Sequence, residues 1–120
     1  MIFEGQVIGG LQQARVLGYP TANIDAAVEL ESGVYASWVI IEGQRFGAAL
    51  MVGGDFQNLP TPKVEVHILD FPKKDLYGLT IQVEALEKVS HMQSLSNQKE
   101  LLKKIRNDLD KMRKILNTKY

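Results

Sequence analysis

Short β-strand-like runs follow one another through the first three quarters of the sequence, with no helical pattern between them. The runs are rich in Val, Ile, Tyr and Phe, which favour strands, and they cover residues 3–8, 34–41, 45–52, 64–69 and 79–86. Strands joined without intervening helices pair antiparallel, and closing such a sheet into a barrel removes its unpaired edges. The pattern therefore predicts a mainly β fold, an antiparallel barrel over about residues 1–90.

The run at 64–69 indicates which side chains face the barrel core. Its apolar residues Val64, Val66 and Ile68 alternate with polar ones, and alternate residues of a strand point to opposite faces. Glu65 and His67 therefore share the face away from the core, which makes that face a candidate site wall. Two residues, Glu42-Gly43, separate the second and third runs and predict a tight hairpin in which glycine supplies a positive φ.

The tail of the chain changes to a helical period. Apolar residues fall on one stripe of a helix that we predict over about residues 97–117, namely Leu101, Leu102, Ile105, Leu109, Met112, Ile115 and Leu116. Asn97, followed three residues later by Glu100, resembles a capping pair at its start. We expect this helix to pack against the barrel and close one end of it.

Length and cysteine content narrow the chemistry. A chain of 120 residues fits one domain with one core, so we treat residues 1–120 as a single domain, expected to be monomeric. The chain has no cysteine, which excludes disulfides, zinc-thiolate sites and thiol nucleophiles. Its two histidines, His67 and His91, cannot fill a tetrahedral metal site alone. We therefore expect the chemistry of any site in this chain to use oxygen ligands.

Charge is distributed unevenly along the chain. The net charge is +0, yet residues 1–98 carry 6 basic and 11 acidic side chains while residues 99–120 carry 8 and 3. A basic helix without interleaved aromatics is either a solvated helix face or a binding surface for a nucleic acid or another partner. We adopt the solvated face, on which nucleic-acid binding is unlikely. No apolar run approaches the ~20 residues of a membrane span, and the first residues lack a basic signal-peptide region, so we expect a cytoplasmic protein.

A glycine-rich segment after the first strand is a candidate phosphate-binding loop. Gly5, Gly9, Gly10 and Gly18 surround Arg15, and glycines let backbone N–H groups approach phosphate oxygens closely. Neither the P-loop pattern nor the dinucleotide-binding glycine pattern is present. On glycine count alone, ordinary turns are the favoured explanation.

Two oxygen-bearing residues follow in the same loop. Pro20 restricts Tyr19 and would hold Thr21 and Asn23 in a defined orientation. A hydroxyl and an amide carbonyl two residues apart can both point at one Mg²⁺, which takes few protein ligands and fills its other positions with phosphate and water. An Asn-capped turn is the structural alternative.

Glu65 is the candidate base. A carboxylate between core valines is costly unless it faces water, a partner or a substrate, and phosphoryl transfer needs a group that orients or deprotonates the attacking hydroxyl. An exposed strand carboxylate is the alternative interpretation. His67 suits a wall or packing role better than a catalytic one.

Taken together, these segments resemble the riboflavin kinase family, including the kinase module of bacterial bifunctional FAD synthetases. The similarity runs nearly end to end. Its most specific parts are Pro20-Thr21-Ala22-Asn23 and, later in the chain, Val64-Glu65-Val66-His67-Ile68-Leu69-Asp70-Phe71. Other matching segments are Gly5-Gln6-Val7-Ile8, Gly33-Val34-Tyr35-Ala36 and Leu76-Tyr77-Gly78, with Leu101, Ile105 and Asp108 in the tail.

The resemblance implies a fold and a set of roles. It implies a six-stranded Greek-key barrel with a C-terminal helix, in which ATP phosphorylates the 5′-hydroxyl of riboflavin to give FMN. Glu65 would be catalytic, and Thr21 and Asn23 would bind Mg²⁺. The remaining implied contacts are Gly10, Arg15, Gly18 and Pro20, with Thr21 and Asn23, for the nucleotide and His67, Leu69, Tyr77 and Met92 for the flavin substrate.

The sequence also departs from the family pattern. Met51 stands where the family usually has Asn, and Ser90-His91-Met92 stands where it has Arg-x-Glu. Gly9, Ala14 and Leu95 replace a histidine, a glycine and an aromatic residue, and Pro60-Thr61 is a remnant of a rearranged loop. These departures fall mostly on the flavin side of the implied site. They leave open two other interpretations: a catalytically weak flavin- or nucleotide-binding regulatory barrel, and an adaptor that uses its basic helix.

Overall fold

Six strands and one helix make up the described parts of the chain. The computed structural model describes residues 1–10, 22–53, 64–69, 76–91 and 98–119. Within these ranges the elements are β1 (Ile2–Gly10), β2 (Ala22–Asp25), β3 (Gly33–Ile41), β4 (Gln44–Val52), β5 (Val64–Ile68), β6 (Thr80–Ser90) and α1 (Gln98–Lys119).

The strands close into an antiparallel barrel. Their order is β1-β2-β5-β4-β3-β6, and β6 pairs with β1 to complete the ring. β3, β4 and β5 are consecutive neighbours, and β2 returns to lie beside β5, which is the Greek-key arrangement. The six-stranded antiparallel Greek-key barrel with a C-terminal helix is confirmed.

β2 corrects the description of its residues as part of a loop. Ala22–Asp25 lies between β1 and β5, paired on both sides. Its composition hides it, because alanine, asparagine and aspartate are poor strand formers. Ile24, 4% exposed, inserts into the core, and Ala22 packs against the same cluster. Pairing with two neighbours outweighs the weak local propensity, and Asn23 therefore lies on a strand.

The hairpin between β3 and β4 has the predicted tight turn. Both turn residues have positive φ, 50° at Glu42 and 82° at Gly43, the pair of conformations that defines a type I′ turn. This turn matches the twist of the flanking strands, and the two strands pair along their whole length, from Gly33 opposite Val52 to Ile41 opposite Gln44.

The barrel interior is filled by aliphatic side chains from all six strands. Alternation in β5 is as predicted, since Val64 and Val66 are 2% and 1% exposed and Ile68 packs against the same cluster. The hydroxyl of Ser37, fully buried, donates a hydrogen bond to the carbonyl oxygen of Ala48 at 2.9 Å. The interior is thus a packed core, and the outer wall carries the polar residues of β5.

α1 packs on the side wall of the barrel, which corrects the expectation that it closes one end. Met112, fully buried, joins Val34, Ala36 and Ala49 of β3 and β4 in a second cluster outside the barrel interior. Leu109 and Ile115 pack against this cluster, so the predicted apolar stripe is confirmed for its second half. The described part of the structure does not include the side chains of Leu101, Leu102 and Ile105. It also does not include the predicted capping pair of Asn97 and Glu100.

One glycine makes room for the last turns of α1. A Cβ at Gly47 of β4 would lie 2.7 Å from Cδ1 of Leu116, a residue that is 6% exposed. A side chain at this position would require the Leu116 side chain to move. None of the helical segments in the described ranges combines the length and apolarity needed to span a bilayer.

Replacing Met112 with alanine tests whether α1 is an integral part of the fold. Met112→Ala empties a fully buried position and should lower the free energy of unfolding by about 2–5 kcal/mol, measured by urea denaturation. Asn117→Ala, at an exposed position of the same helix, should change it by less than about 0.5 kcal/mol. Equal losses in the two variants would contradict this packing.

Candidate functional site

A row of directly opposed residues crosses the outer wall of the barrel. Asn23 of β2 is opposite Glu65 of β5, Glu65 is opposite Met51 of β4, and Met51 is opposite Val34 of β3. Directly opposed residues point to the same face, with Cβ atoms about 4.5–5.5 Å apart. An amide, a carboxylate and a thioether are therefore immediate neighbours on this wall.

Glu65 is buried although it faces away from the barrel core. Its residue is 8% exposed, while its chain neighbours Val64 and Val66 fill the interior on the other side of β5. Burying a carboxylate costs free energy unless it is paired, and Glu65 has an interaction partner; buried carboxylates occur both at functional sites and in structural networks. The sequence-based assignment of Glu65 as a site residue is consistent with this burial.

Asn23 brings an unsatisfied oxygen to the carboxylate. Its Oδ1 atom is buried and accepts no hydrogen bond from any described residue, and such a group costs about 1–3 kcal/mol in a folded protein. An amide oxygen is a hard donor of the kind that Mg²⁺ accepts, and Mg²⁺ is often held by one or two protein ligands. The described residues contain no group of three or more Asp, Glu or His side chains that could hold a metal by themselves.

The other predicted contacts have mixed positions. His67 lies two residues beyond Glu65 on the same face, opposite Ala49, and is partly buried. Leu69 is 7% exposed and lies near Gly47, whose carbonyl accepts its N–H at 2.9 Å. Tyr77 is 70% exposed, in the turn before β6. Gly10 ends β1 opposite Ala22.

Five predicted site residues lie outside the described part of the chain. Their roles stay predictions, and they are Arg15, Gly18, Pro20, Thr21 and Met92.

Met51 is closer to the candidate base than the sequence indicated. From the sequence, its replacement of the family's asparagine falls with the departures on the flavin side, but the register makes it the direct neighbour of Glu65. It also packs against the cluster under α1. Pairing the runs at 45–52 and 64–69 would have placed Met51 beside Glu65. The sequence does not give the register of that pairing.

The row continues to Ser90 at the end of β6, where sequence reasoning missed a polar cluster. Ser90 is opposite Val34, and its Oγ accepts a hydrogen bond from Nζ of Lys104 at 3.1 Å. Nζ of Lys104 also lies 2.6 Å from Oδ2 of Asp108, and these side chains are only 16% and 10% exposed. The cluster connects the end of β6 to α1.

One carboxyl near this end of β6 has a shifted pKa. A hydrogen bond from Lys88 at 2.7 Å, together with the lysine charge, lowers the pKa of Glu31. A lowered pKa in the folded state stabilises the fold above the ordinary pKa, and the effect is lost as the pH falls through the folded value. The carboxylate side chain is 75% exposed, so solvent screens this contribution.

Comparison with known proteins places the fold and the site in context. The family model for riboflavin kinase (flavokinase) matches residues 1–116. The chain is 30% identical over 115 residues to the "RNA-binding riboflavin kinase RibR" of Bacillus subtilis. It is 34% identical over 114 residues to the bifunctional riboflavin kinase/FMN adenylyltransferase of Escherichia coli K12. The crystal structure of riboflavin kinase from Trypanosoma brucei superposes with a TM-score of 0.72 at 23% identity and supports the fold alone.

These matches cover most of this chain but less of the relatives. The Bacillus and Escherichia alignments span 90% and 88% of the chain, and 48% and 34% of the respective relatives. The Trypanosoma superposition spans 98% of the chain and 80% of that protein. The chain thus matches less than half the length of both curated relatives.

Replacing Asn23 with leucine tests whether its oxygen lacks a partner in the free protein. Leucine has a similar shape without a polar group, so Asn23→Leu should leave the free energy of unfolding unchanged or raise it by about 1 kcal/mol, measured by urea denaturation without ligands. Ile24→Ala at the adjacent core position should instead lower it by about 2–5 kcal/mol. A loss above about 1 kcal/mol in Asn23→Leu would mean that the amide is satisfied in solution.

Proposed function

The chain belongs to the riboflavin kinase (flavokinase) family, and on this premise we propose that it transfers the terminal phosphate of ATP to the 5′-hydroxyl of riboflavin, giving FMN and ADP. The observation that best supports this activity is the pairing of Asn23 with Glu65 on the outer wall. This pairing puts an oxygen that can bind a metal ion beside a buried carboxylate. Phosphoryl transfer uses both kinds of group, one to hold the metal and one to act on the attacking hydroxyl. ATP as donor fits the expected cytoplasmic location.

Glu65 would act on the attacking hydroxyl. Phosphoryl transfer asks the protein mainly to position the reactants and to neutralise charge, with one group that orients or deprotonates the nucleophile. In this proposal the Glu65 carboxylate accepts the proton of the riboflavin hydroxyl as the new O–P bond forms. ADP departs as the bond between its oxygen and the transferred phosphorus breaks.

Asn23 would share a Mg²⁺ with Thr21. The unsatisfied Oδ1 of Asn23 is available as a ligand, and the Thr21 hydroxyl is the second ligand predicted from the sequence. Bound Mg²⁺ would neutralise charge on the ATP phosphates. Fixed on a strand between β1 and β5, Asn23 would orient the phosphates toward the Glu65 side of the wall.

Met51 motivates a second candidate function. The thioether beside Glu65 donates no hydrogen bond, so a family asparagine that could orient the carboxylate or substrate is missing. The alternative is a catalytically weak barrel that binds flavin or nucleotide as a regulatory module. It predicts riboflavin or ADP binding without FMN formation.

Product formation distinguishes the two candidates. Purified protein with riboflavin, ATP and Mg²⁺ should form FMN, detected by chromatography, and Glu65→Gln should lower kcat by about 10²–10⁴-fold because the base is removed. Glu84→Gln, a matched change on β6, should leave kcat unaltered. Quenching of riboflavin fluorescence without FMN, in protein of confirmed fold, would instead support the regulatory candidate.

Ligand-dependent melting tests the metal assignment separately from turnover. ADP with Mg²⁺ should raise Tm of the wild-type protein, since a ligand that binds only the folded state stabilises it, and excess EDTA should reverse most of the shift. Asn23→Leu should lose most of the Mg²⁺-dependent part because the Oδ1 ligand is gone. An unchanged shift in this variant would exclude Asn23 as a ligand.

A further inference from the structure

The outward side of α1 is a dense basic surface. While Met112 and Leu116 are buried against the barrel, the opposite side of the helix exposes five cations, which we call the basic face: Lys103, Arg106, Lys111, Arg113 and Lys114. Of the described acidic residues of α1, Asp110 is exposed and Asp108 is buried against Lys104. Among the described residues of α1, the basic face therefore carries five exposed cations against one exposed acid, Asp110, and Arg113 has an interaction partner.

The rest of the chain has the opposite charge. Residues 99–120 have 8 basic and 3 acidic side chains, a difference of +5, and residues 1–98 have 6 and 11, a difference of −5. Because the two halves cancel, the molecule as a whole does not attract polyanions through its net charge. Any attraction would be localised at the basic face.

The spacing of these cations suits a phosphate backbone. At a rise of about 1.5 Å per residue, the helix from Lys103 to Lys114 extends about 16 Å. One strand of a duplex carries a phosphate about every 3.4 Å of axis, so about five phosphates fall within that length. Five exposed cations on this segment can therefore contact several consecutive phosphates.

The buried side of α1 favours one kind of anionic partner. A membrane-surface helix inserts its apolar side into the lipid, but the apolar side of α1 is already occupied by β3 and β4. Single-stranded nucleic acids are held largely by stacking on aromatic side chains, and residues 98–119 contain no aromatic residue. A duplex backbone requires neither insertion nor stacking.

In place of the solvated-face interpretation drawn from the sequence, we propose that the basic face of α1 binds the phosphate backbone of double-stranded nucleic acid without sequence preference. This surface is separate from the Asn23–Glu65 row, and the proposal does not depend on kinase activity. Each cation contributes by releasing a counterion from the duplex, so the affinity depends steeply on salt.

Fluorescence anisotropy with labelled duplexes of about 20 base pairs, DNA in one arm and RNA in the other, tests the proposal. Between about 50 and 200 mM salt, the slope of log Kobs against log[salt] for the DNA arm should be about −3 to −4, since about four contacts contribute −0.9 each. The triple variant Lys103→Gln, Arg106→Gln, Lys114→Gln should weaken binding by at least about tenfold and bring the slope to about −1. The RNA arm should show the same order of effects.

A second triple variant controls for net charge. Gln44→Glu, Thr80→Glu, Gln82→Glu also lowers the charge by three, at exposed positions of the barrel, and should leave duplex binding within about twofold. Equal weakening by both triples would overturn the proposal, and so would displacement of the duplex by Mg²⁺·ADP beyond that caused by the same concentration of Mg²⁺ alone. Binding to phosphatidylserine vesicles in place of duplexes would also overturn it. If the chain is a kinase, both triple variants should form FMN at the wild-type rate. FMN formation therefore tests the kinase proposal, and duplex binding tests the basic-face proposal independently.

Discussion

The pairing of β2 with β5 is the constraint on which the candidate site depends. This short ladder sets the Asn23 amide opposite the Glu65 carboxylate, and the register of β5 against β4 adds Met51 on the other side. Because side chains alternate along a strand, a slip of one residue would exchange each of these groups for a core residue. The same aliphatic packing that closes the barrel therefore holds the polar groups of the outer wall in place.

Much of the fold could be predicted from local patterns. The alternation around Glu65, the Glu42-Gly43 turn and the stripe containing Met112 each report on near neighbours, and each was right. β2 could not be recognised, because Ala22-Asn23-Ile24-Asp25 has little strand propensity of its own and exists through its two partners. The stripe on α1 likewise predicted that one side is buried, but it contains no information on whether the helix covers a wall or an end.

The site was harder to predict because its neighbours are distant in the sequence. Glu65 and Asn23 could be named from residue type and family resemblance, yet their opposition follows from strand register. Met51 shows the difference most clearly, since its effect on Glu65 depends on cross-strand pairing. Lys104 lacked any signal, because its contact with Ser90 depends on how α1 lies on the wall.

The shortness of β2 has a consequence for how the barrel fluctuates. This strand has four residues against nine in each of β3 and β4. Among the described residues it forms the shortest ladders of the barrel, a seam with four paired positions to β1 and three to β5. Amide hydrogens along this seam should exchange with solvent through small openings, at a lower free energy than those of the long hairpin. Glu65 also lies opposite Met51 of the longer β4, whereas Asn23 lies on β2 itself, so these openings should displace the amide more than the carboxylate.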